Sequence, residues 1–204
     1  IQAETTGNYG QAITIEETNL FEITNLSGGI IKVTDSALNS VALRITTGGS
    51  VNTITNNGTI SAVGTTHSRG ILSISTATID RLTNTGTISA SGASNSNYGI
   101  VFWNNSGTSI TNSGTIQGSG GNYGYGIRIG SSGSISTITN SGTIKGSKDG
   151  ISNSSTITSI INSGTITGTS GYSIHNFGGS ITNLTNSQNN LTLVGNVPTN
   201  YYVK

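Results

Sequence analysis

The chain has 204 residues, of which 7% are charged, and its formal net charge is +1. This sequence shows no basic stripe, which argues against nucleic acid as a partner. Hydrophobic residues make up only 31% and cysteine is absent, so we expect neither a thick globular core nor a disulfide framework. A thin core repeated along the chain fits both the low hydrophobic content and the regular placement of isoleucine and threonine.

In chain order, residues 1–20 come first and look like the end of a preceding repeat, because Tyr9-Gly10 matches Tyr98-Gly99. We expect them to form a partial N-terminal turn or cap. A repeat domain follows over residues 21–195, beginning with a degenerate turn around Asn25. Residues 196–204 are expected to form an exit segment or linker.

One phrase of the form Ile-Thr-Asn-Ser-Gly-Thr-Ile recurs throughout the repeat domain. Its asparagines are equally spaced over the first four copies, and the last two copies follow at shorter intervals. They are Asn56, Asn84, Asn112, Asn140, Asn162 and Asn186. A period in this range is typical of a solenoid, in which one unit stacks on the next.

Each repeat has the pattern of three short strands. Around Asn112, Ile110 and Ile116 alternate with polar residues, as strand periodicity requires. An apolar column five residues before each asparagine fails once, at Gly107. A third strand begins at a glycine such as Gly126, after a loop whose shortening is predicted to account for the change in period. The sequence predicts an all-β, right-handed parallel β-helix, a solenoid with three short strands per turn and about seven turns.

The Asn-Ser-Gly corner has a structural interpretation. Asparagine and glycine tolerate positive φ, and asparagine side chains in register can form a ladder of amide hydrogen bonds along a stack. The six asparagines of the repeated phrase are therefore predicted to form a corner ladder. The alternative is that Asn-Gly marks only β-hairpin turns, but antiparallel meanders rarely keep identical residues at a fixed long period.

Residues that carry chemistry are sparse. Of the seven acidic residues only Asp80 and Asp149 follow residue 36, so paired carboxylates for glycoside hydrolysis are not predicted. His67 and His175 lie in different units without cysteine, so no metal site is predicted. The glycine-rich stretch around Asn122 lacks the aspartate of a calcium-binding repeat. We expect no catalytic residue, no cofactor and no enzymatic activity.

Aromatic residues near the third strands are the best candidates for partner contact. Stacked turns are expected to align them in one ridge, and such rows can bind sugar rings or a partner protein. The alternative is that the rings only cover the core. The candidate contact residues are Tyr98, Phe102, Trp103, Tyr123, Tyr125, Tyr172 and His175. Tyr9 fits the same position, whereas Arg128, Lys145 and Lys148 are interpreted as solubilising.

Two threonine columns favour a further alternative. One contains Thr55, Thr83, Thr111 and Thr139, and a second contains Thr59, Thr87, Thr115, Thr143 and Thr165. Regular threonine arrays on a flat β-helix face are typical of some ice-binding proteins. Threonine is also a good residue for any exposed strand position, and Ile161 interrupts the first column.

Repeats of this form, with little charge and no cysteine, resemble the passenger domains of bacterial autotransporters (type V secretion). The likeness is strongest to epsilon-proteobacterial, vacuolating-cytotoxin-like passengers and covers about residues 20–195. It implies export through a C-terminal outer-membrane β-barrel outside this sequence, and then surface display or secretion. We expect a non-enzymatic adhesin or stalk segment that binds a host glycan or protein or self-associates. Alternatives are a receptor-binding or oligomerising part of a secreted toxin, and a polysaccharide-acting enzyme.

Overall fold

The computed structural model describes residues 1–5, 8–35, 38–104, 108–196 and 198–203. Over these residues the chain forms 23 β-strands and no helix. In chain order the strands are β1 (Gln2–Thr5), β2 (Tyr9–Ile15), β3 (Asn19–Asn25), β4 (Ile30–Asp35), β5 (Asn39–Ile45), β6 (Ser50–Asn56), β7 (Thr59–Gly64), β8 (His67–Ser73), β9 (Thr78–Asn84), β10 (Thr87–Gly92), β11 (Ser96–Phe102), β12 (Thr108–Asn112), β13 (Thr115–Ser119), β14 (Tyr123–Ile129), β15 (Ser134–Asn140), β16 (Thr143–Gly146), β17 (Asp149–Asn153), β18 (Thr156–Asn162), β19 (Thr165–Gly168), β20 (Ile174–Asn176), β21 (Ser180–Asn186), β22 (Leu193–Gly195) and β23 (Asn200–Val203).

The strands form three parallel sheets. Sheet A contains β1, β4, β7, β10, β13, β16 and β19; sheet B contains β2, β5, β8, β11, β14, β17, β20 and β22; sheet C contains β3, β6, β9, β12, β15, β18, β21 and β23. The chain visits the three sheets in turn, so strands that follow each other in sequence do not pair with each other. This arrangement is a parallel β-solenoid with three strands per turn, so the predicted all-β parallel solenoid is confirmed.

Strand pairing continues on both sides of the predicted repeat domain. β1 and β2 pair in parallel with β4 and β5, so residues 2–15 supply two strands of the first turn. β23 pairs in parallel with β21, so residues 200–203 add a strand to sheet C within the predicted exit segment. The stacked region of the described chain is therefore longer than residues 21–195.

The core is a narrow column of aliphatic side chains enclosed by the three sheets. Ile110 of sheet C, Ile116 of sheet A and Ile127 of sheet B are all fully buried. Side chains alternate along a strand, so every second residue of each sheet faces this column. Each buried aliphatic side chain contributes about 1.5–3 kcal/mol, and the same set recurs from turn to turn, so stability is collective along the stack.

A polar residue occupies the turn in which the sequence interrupts the apolar column at Gly107. Gly107 lies outside the described residues, and Thr108 aligns with Ile135 in that column. Thr108 is fully buried, and its hydroxyl donates a hydrogen bond to the carbonyl oxygen of Ile79 at 2.5 Å. This bond satisfies a hydroxyl group that burial would otherwise penalise.

The corner between sheets C and A holds a ladder of asparagine side chains. Each Nδ2 donates to the Oδ1 of the asparagine one turn later, at N–O distances of 2.7–2.8 Å. The ladder includes all six predicted asparagines and starts one turn earlier, at Asn25. The Nδ2 of Asn112 also donates to the carbonyl of Gly114 at 3.2 Å, so the amide holds its own corner as well.

The corner glycines are required for a different reason from the predicted one. None of Gly58, Gly86, Gly114, Gly142 and Gly164 has a positive φ. A Cβ atom at Gly114 would lie 2.1 Å from the carbonyl oxygen of Gly86. The equivalent distance at the other four corners is 2.0–2.2 Å. Glycine is needed because successive turns approach too closely for any side chain.

The shorter period after Asn140 arises at two corners, and the prediction that one loop accounts for it is wrong. The path from the motif isoleucine to the third-strand glycine shortens from 10 residues (116–126) to 6 (144–150). The corner between sheets B and C also shortens, from four residues (130–133) to two (154–155). Together these changes remove the six residues by which the sequence separation of neighbouring ladder asparagines falls, from 28 to 22.

Gln188, which replaces the corner glycine, covers the edge of sheet A at β19. Its Oε1 accepts a hydrogen bond from the backbone N–H of Ile166 at 2.7 Å, and its Nε2 donates to the Ile166 carbonyl at 3.0 Å. The side chain therefore reproduces the pairing that a further strand would make, and it protects this edge from pairing with another chain.

Candidate binding groove

Two columns of side chains project outward from sheet B. One contains Val41, Arg69, Tyr98, Tyr125 and Asp149, which are neighbours on successive strands. The other contains Arg44, Leu72, Val101, Arg128, Ser152 and His175. Apart from the fully buried Val101 and Asp149, they line a surface that we call the sheet B groove, which runs across the strands and has Trp103 at the boundary of its two halves.

The two halves of the groove differ in their lining. The N-terminal half has a volume of about 250 Å³ and the C-terminal half about 330 Å³. Besides Trp103, the N-terminal half is lined by Tyr9, Gln11, Asn39, Val41, Arg44, Arg69, Leu72 and Ile74. Besides Trp103, the C-terminal half is lined by Ser96, Tyr98, Tyr123, Tyr125, Arg128, Ser152, Ser154, His175 and Phe177.

Tyr98 and Tyr125 form the floor of the C-terminal half. Their rings stack with centroids 5.4 Å apart and an interplanar angle of 1°, because the two residues are neighbours in register. Only 7% and 8% of their surfaces are exposed, so they do not project as a ridge. Burial raises the pKa of Tyr125 to about 12, and the carboxylate of Asp149 contributes in the same direction.

Phe102 is not available to a partner, and its prediction as a contact residue is wrong. It is fully buried, with Ser73 and Ile129 as its neighbours on the adjacent strands. It points to the same face of the strand as the core residue Ile100, because the two are separated by one residue. Its small neighbour Ser73 leaves room for the ring inside the solenoid.

Trp103 and Arg128 form a pair at the centre of the groove. The Trp103 ring lies against the backbone of Gly130, where a Cβ would meet the ring at 2.2 Å. The Arg128 guanidinium lies 5.8 Å from the Trp103 ring centroid and 5.9 Å from that of Tyr125. It also donates to Ser152 Oγ at 2.7 Å. Cation–π contacts of this kind hold a guanidinium over aromatic faces, so Arg128 is a part of the site.

The remaining candidate aromatics lie at the rim. Tyr123 is 45% exposed and 6.4 Å from Tyr125 between ring centroids, with the Lys148 ammonium 4.6 Å from its ring. Tyr172 contacts His175 edge-on at 5.7 Å, and His175 contacts Phe177 at 5.8 Å. Tyr172, His175 and Phe177 therefore form a short aromatic row, of which Phe177 is 71% exposed.

Tyr9 does not occupy the position of Tyr98. It aligns with Asn39 and, one strand further, with His67. Tyr9 instead belongs to the rim of the N-terminal half of the groove. The similar dipeptides Tyr9-Gly10 and Tyr98-Gly99 therefore lie at different register positions of sheet B, since Tyr98 aligns with Arg69.

Asp149 and His175 form an acid–histidine pair that is not recognisable from the sequence. Asp149 is fully buried, and its Oδ2 lies 3.1 Å from His175 Nδ1, the only such pair within 4 Å in the part of the chain that the structure describes. Its Oδ1 accepts the backbone N–H of Tyr172 at 2.8 Å. Ser152 lies next to His175 in register, but its Oγ accepts a hydrogen bond from Arg128. The pair fixes the imidazole at the rim without an activated hydroxyl beside it.

The threonine columns lie in register on the other two sheets. Thr55, Thr83, Thr111 and Thr139 align on sheet C, where Ile161 follows them. Thr59, Thr87, Thr115, Thr143 and Thr165 align on sheet A. Neither column contributes to the sheet B groove.

No protein-family model, curated protein or solved structure matches this chain. Within the described residues, no group of three or more histidine, cysteine, aspartate or glutamate side chains is close enough to hold a metal ion. None of the described segments is a helix long and apolar enough to cross a membrane.

Proposed function

We propose that this chain is a non-enzymatic glycan-binding segment of a surface-displayed or secreted protein, and that the sheet B groove holds the sugar chain. The observation that carries the proposal is the lining of the C-terminal half. Exposed rings of Tyr123 and Phe177 and the indole of Trp103 border it, beside the polar groups of Arg128 and Ser154. Sugar rings need an aromatic face for their apolar side and hydrogen-bonding groups for their hydroxyls, and this surface offers both.

The direction of the groove also favours a chain-like ligand. It crosses successive strands, which are spaced about 4.8 Å apart, so its binding groups follow one another along a line. A partner protein would need a broad patch of roughly 800 Å² on each side for a stable complex. Clefts that bind small ligands measure about 300–1,000 Å³, and the two halves of about 330 Å³ and about 250 Å³ together lie in that range.

The groove favours binding over catalysis. Its one acid–histidine pair has a fully buried carboxylate, and the neighbouring hydroxyl of Ser152 is held by Arg128. The proposal of bacterial surface display or secretion rests on the resemblance of the repeats to autotransporter passenger domains. An adhesin or stalk segment is the role that combines glycan binding without catalysis and display at the bacterial surface.

The test is isothermal titration calorimetry of the purified chain with hexasaccharides of cellulose, galactan and galacturonan. We expect at least one hexasaccharide to bind. Trp103→Ala and Tyr123→Ala should each weaken that binding by about tenfold or more, because aromatic anchors dominate such sites. Phe21→Ala is the matched control, since this side chain is 78% exposed and belongs to sheet C.

Two results would overturn the proposal. The first is that none of the hexasaccharides binds, and the second is that Phe21→Ala weakens binding as much as Tyr123→Ala does. Circular dichroism of each variant checks that it folds. Tyr123 is exposed at the rim, so Tyr123→Ala still tests glycan binding even if Trp103→Ala disturbs the backbone at Gly130. Shortened oligosaccharides after incubation would contradict the non-enzymatic assignment.

A further inference from the structure

We infer that the ligand of the sheet B groove is an acidic glycan, whose sugar carboxylates are bound by Arg44 and Arg69 in the N-terminal half. The inference rests on the proposed function and names the ligand class for the same groove. Both arginines line the N-terminal half next to Trp103. They therefore continue the surface that the aromatic rim begins.

The first observation is that these arginines have no anionic partner in the described part of the chain. Within the described residues, no carboxylate lies within 4 Å of Arg44 or Arg69. The Nε of Arg69 is buried without a hydrogen-bond partner. Burial lowers the pKa of Arg69, and the charge of Arg44 acts in the same direction. A buried N–H group without an acceptor is unfavourable, and so is one cation placed beside another. An anion bound between Arg44 and Arg69 would relieve the repulsion between the two charges.

The second observation is the distribution of charge along the groove. Arg44 and Arg128 occupy the same outward column three strands apart, which corresponds to about 14 Å. Arg69 lies in the neighbouring column between them. Over the described strands, the one carboxylate in the two outward columns is Asp149, which is fully buried and paired with His175. A protein with a net charge of +1 thus places three arginines in one groove, and none of them has a carboxylate partner among the residues that the structure describes.

The surroundings of the two arginines favour a sugar over a peptide. Val41, Leu72 and Ile74 provide an apolar lining between Tyr9 and Trp103. A pyranose ring can lie on such a surface while its carboxylate reaches the planar guanidinium groups, which bind carboxylates through two parallel hydrogen bonds. A galacturonan-like chain offers a carboxylate on every sugar, so more than one arginine of the groove can be satisfied by one ligand.

The test compares hexagalacturonate with its carboxyl-reduced form, a neutral hexagalactan of the same linkage, by calorimetry. We expect the acidic oligomer to bind about tenfold or more tightly, and its affinity to fall between about 50 and about 300 mM NaCl. Arg44→Gln and Arg69→Gln should each lower the affinity for hexagalacturonate by about tenfold and lower the affinity for the neutral oligomer by a clearly smaller factor, because only the acidic oligomer loses a carboxylate contact. Arg81→Gln on sheet C is the matched control and should change neither.

The outcomes separate the inference from the proposed function. Equal affinities for the acidic and neutral oligomers, or Arg44→Gln without effect on hexagalacturonate, would overturn the inference and leave glycan binding standing. Failure of both oligomers and of the other hexasaccharides would overturn the proposed function itself. Hexaglutamate is included as a third probe, and tighter binding of this peptide than of hexagalacturonate would overturn the glycan class. Among the described residues, Arg69 has a buried nitrogen without a hydrogen-bond partner and Arg44 has none. Arg44→Gln therefore tests the acidic-glycan inference if Arg69→Gln fails to fold.

Discussion

The asparagine corner and the sheet B groove are built on the same turns, but residue identity is constant at the corner and varies in the groove. At the corner, the same asparagine recurs from Asn25 to Asn186 and bonds to its copy in the next turn. In the groove, one outward column changes from valine to arginine, tyrosine and aspartate along its strands. Repetition in this chain marks what holds the stack together, and variation marks the surface that we propose binds a ligand.

The physical reason lies in how many neighbours each position must satisfy. A corner residue is enclosed between two copies of itself, so its amide must serve as donor in one direction and acceptor in the other. The adjacent glycine touches the carbonyl oxygen of the previous turn. An outward residue of sheet B points away from the enclosed core, where no copy of itself has to be matched atom by atom, so its side chain can change without displacing the backbone.

The largest effect is expected from a side chain at the corner glycine. In Gly114→Ala the new Cβ would lie 2.1 Å from the carbonyl oxygen of Gly86, which is backbone and cannot move alone. We expect the free energy of unfolding to fall by about 4 kcal/mol, at the upper end for single substitutions, as measured by chemical denaturation.

Gly178→Ala is the matched control for this substitution. Its Cβ would meet nothing within 4 Å, but its φ is +73°. The cost should be only the left-handed strain of about 1–2 kcal/mol. Equal losses in the two variants would show that conformation, and not the close approach of turns, decides the corner.

A smaller loss is expected from breaking the ladder. Asn112→Ala removes the acceptor of Asn84 and the donor to Asn140, both fully buried. Leaving buried amide groups unpaired costs about 1–3 kcal/mol, so we expect the unfolding free energy to fall by about 2–3 kcal/mol. The exposed Asn52→Ala is the control, and glycan affinity of folded Asn112→Ala should match the parent chain. A neutral effect of Asn112→Ala would contradict the ladder as a stabilising element.

The sequence alone predicts the stack because its corner keeps a constant period. The asparagines that end β6, β9, β12 and β15 recur at one constant sequence separation, so the fold and the ladder can be read directly. The burial of Phe102 was also within reach, since alternation from Ile100 places it inside. The reason for the corner glycines is not predictable in this way, because the close approach of each glycine to the carbonyl oxygen of the previous turn depends on the distance between turns.

The groove could not be assembled from a fixed period. The column that begins at Val41 and Arg69 continues at positions 98, 125 and 149, because the loop before sheet B varies in length. Repeating the first step would select Asn97 and Asn153 in place of the tyrosine at 98 and the aspartate at 149. The pairing of that aspartate with His175 and the grouping of the arginines therefore follow only from the strand register.

The floor of the groove can be distinguished from its rim by alkaline titration. The pKa of Tyr125 is raised to about 12, chiefly because burial disfavours the phenolate. The folded-state pKa exceeds the unfolded value of about 10, so this residue's contribution to stability is full below about pH 10 and is lost as the pH rises toward about 12. Tyrosinate absorbance should show a late-ionising component that disappears in Tyr125→Phe and persists in Tyr123→Phe, whose ring is 45% exposed. If the late-ionising component disappears in Tyr123→Phe instead, then Tyr123 is the enclosed residue, and the assignment of Tyr125 to the floor and Tyr123 to the rim is wrong.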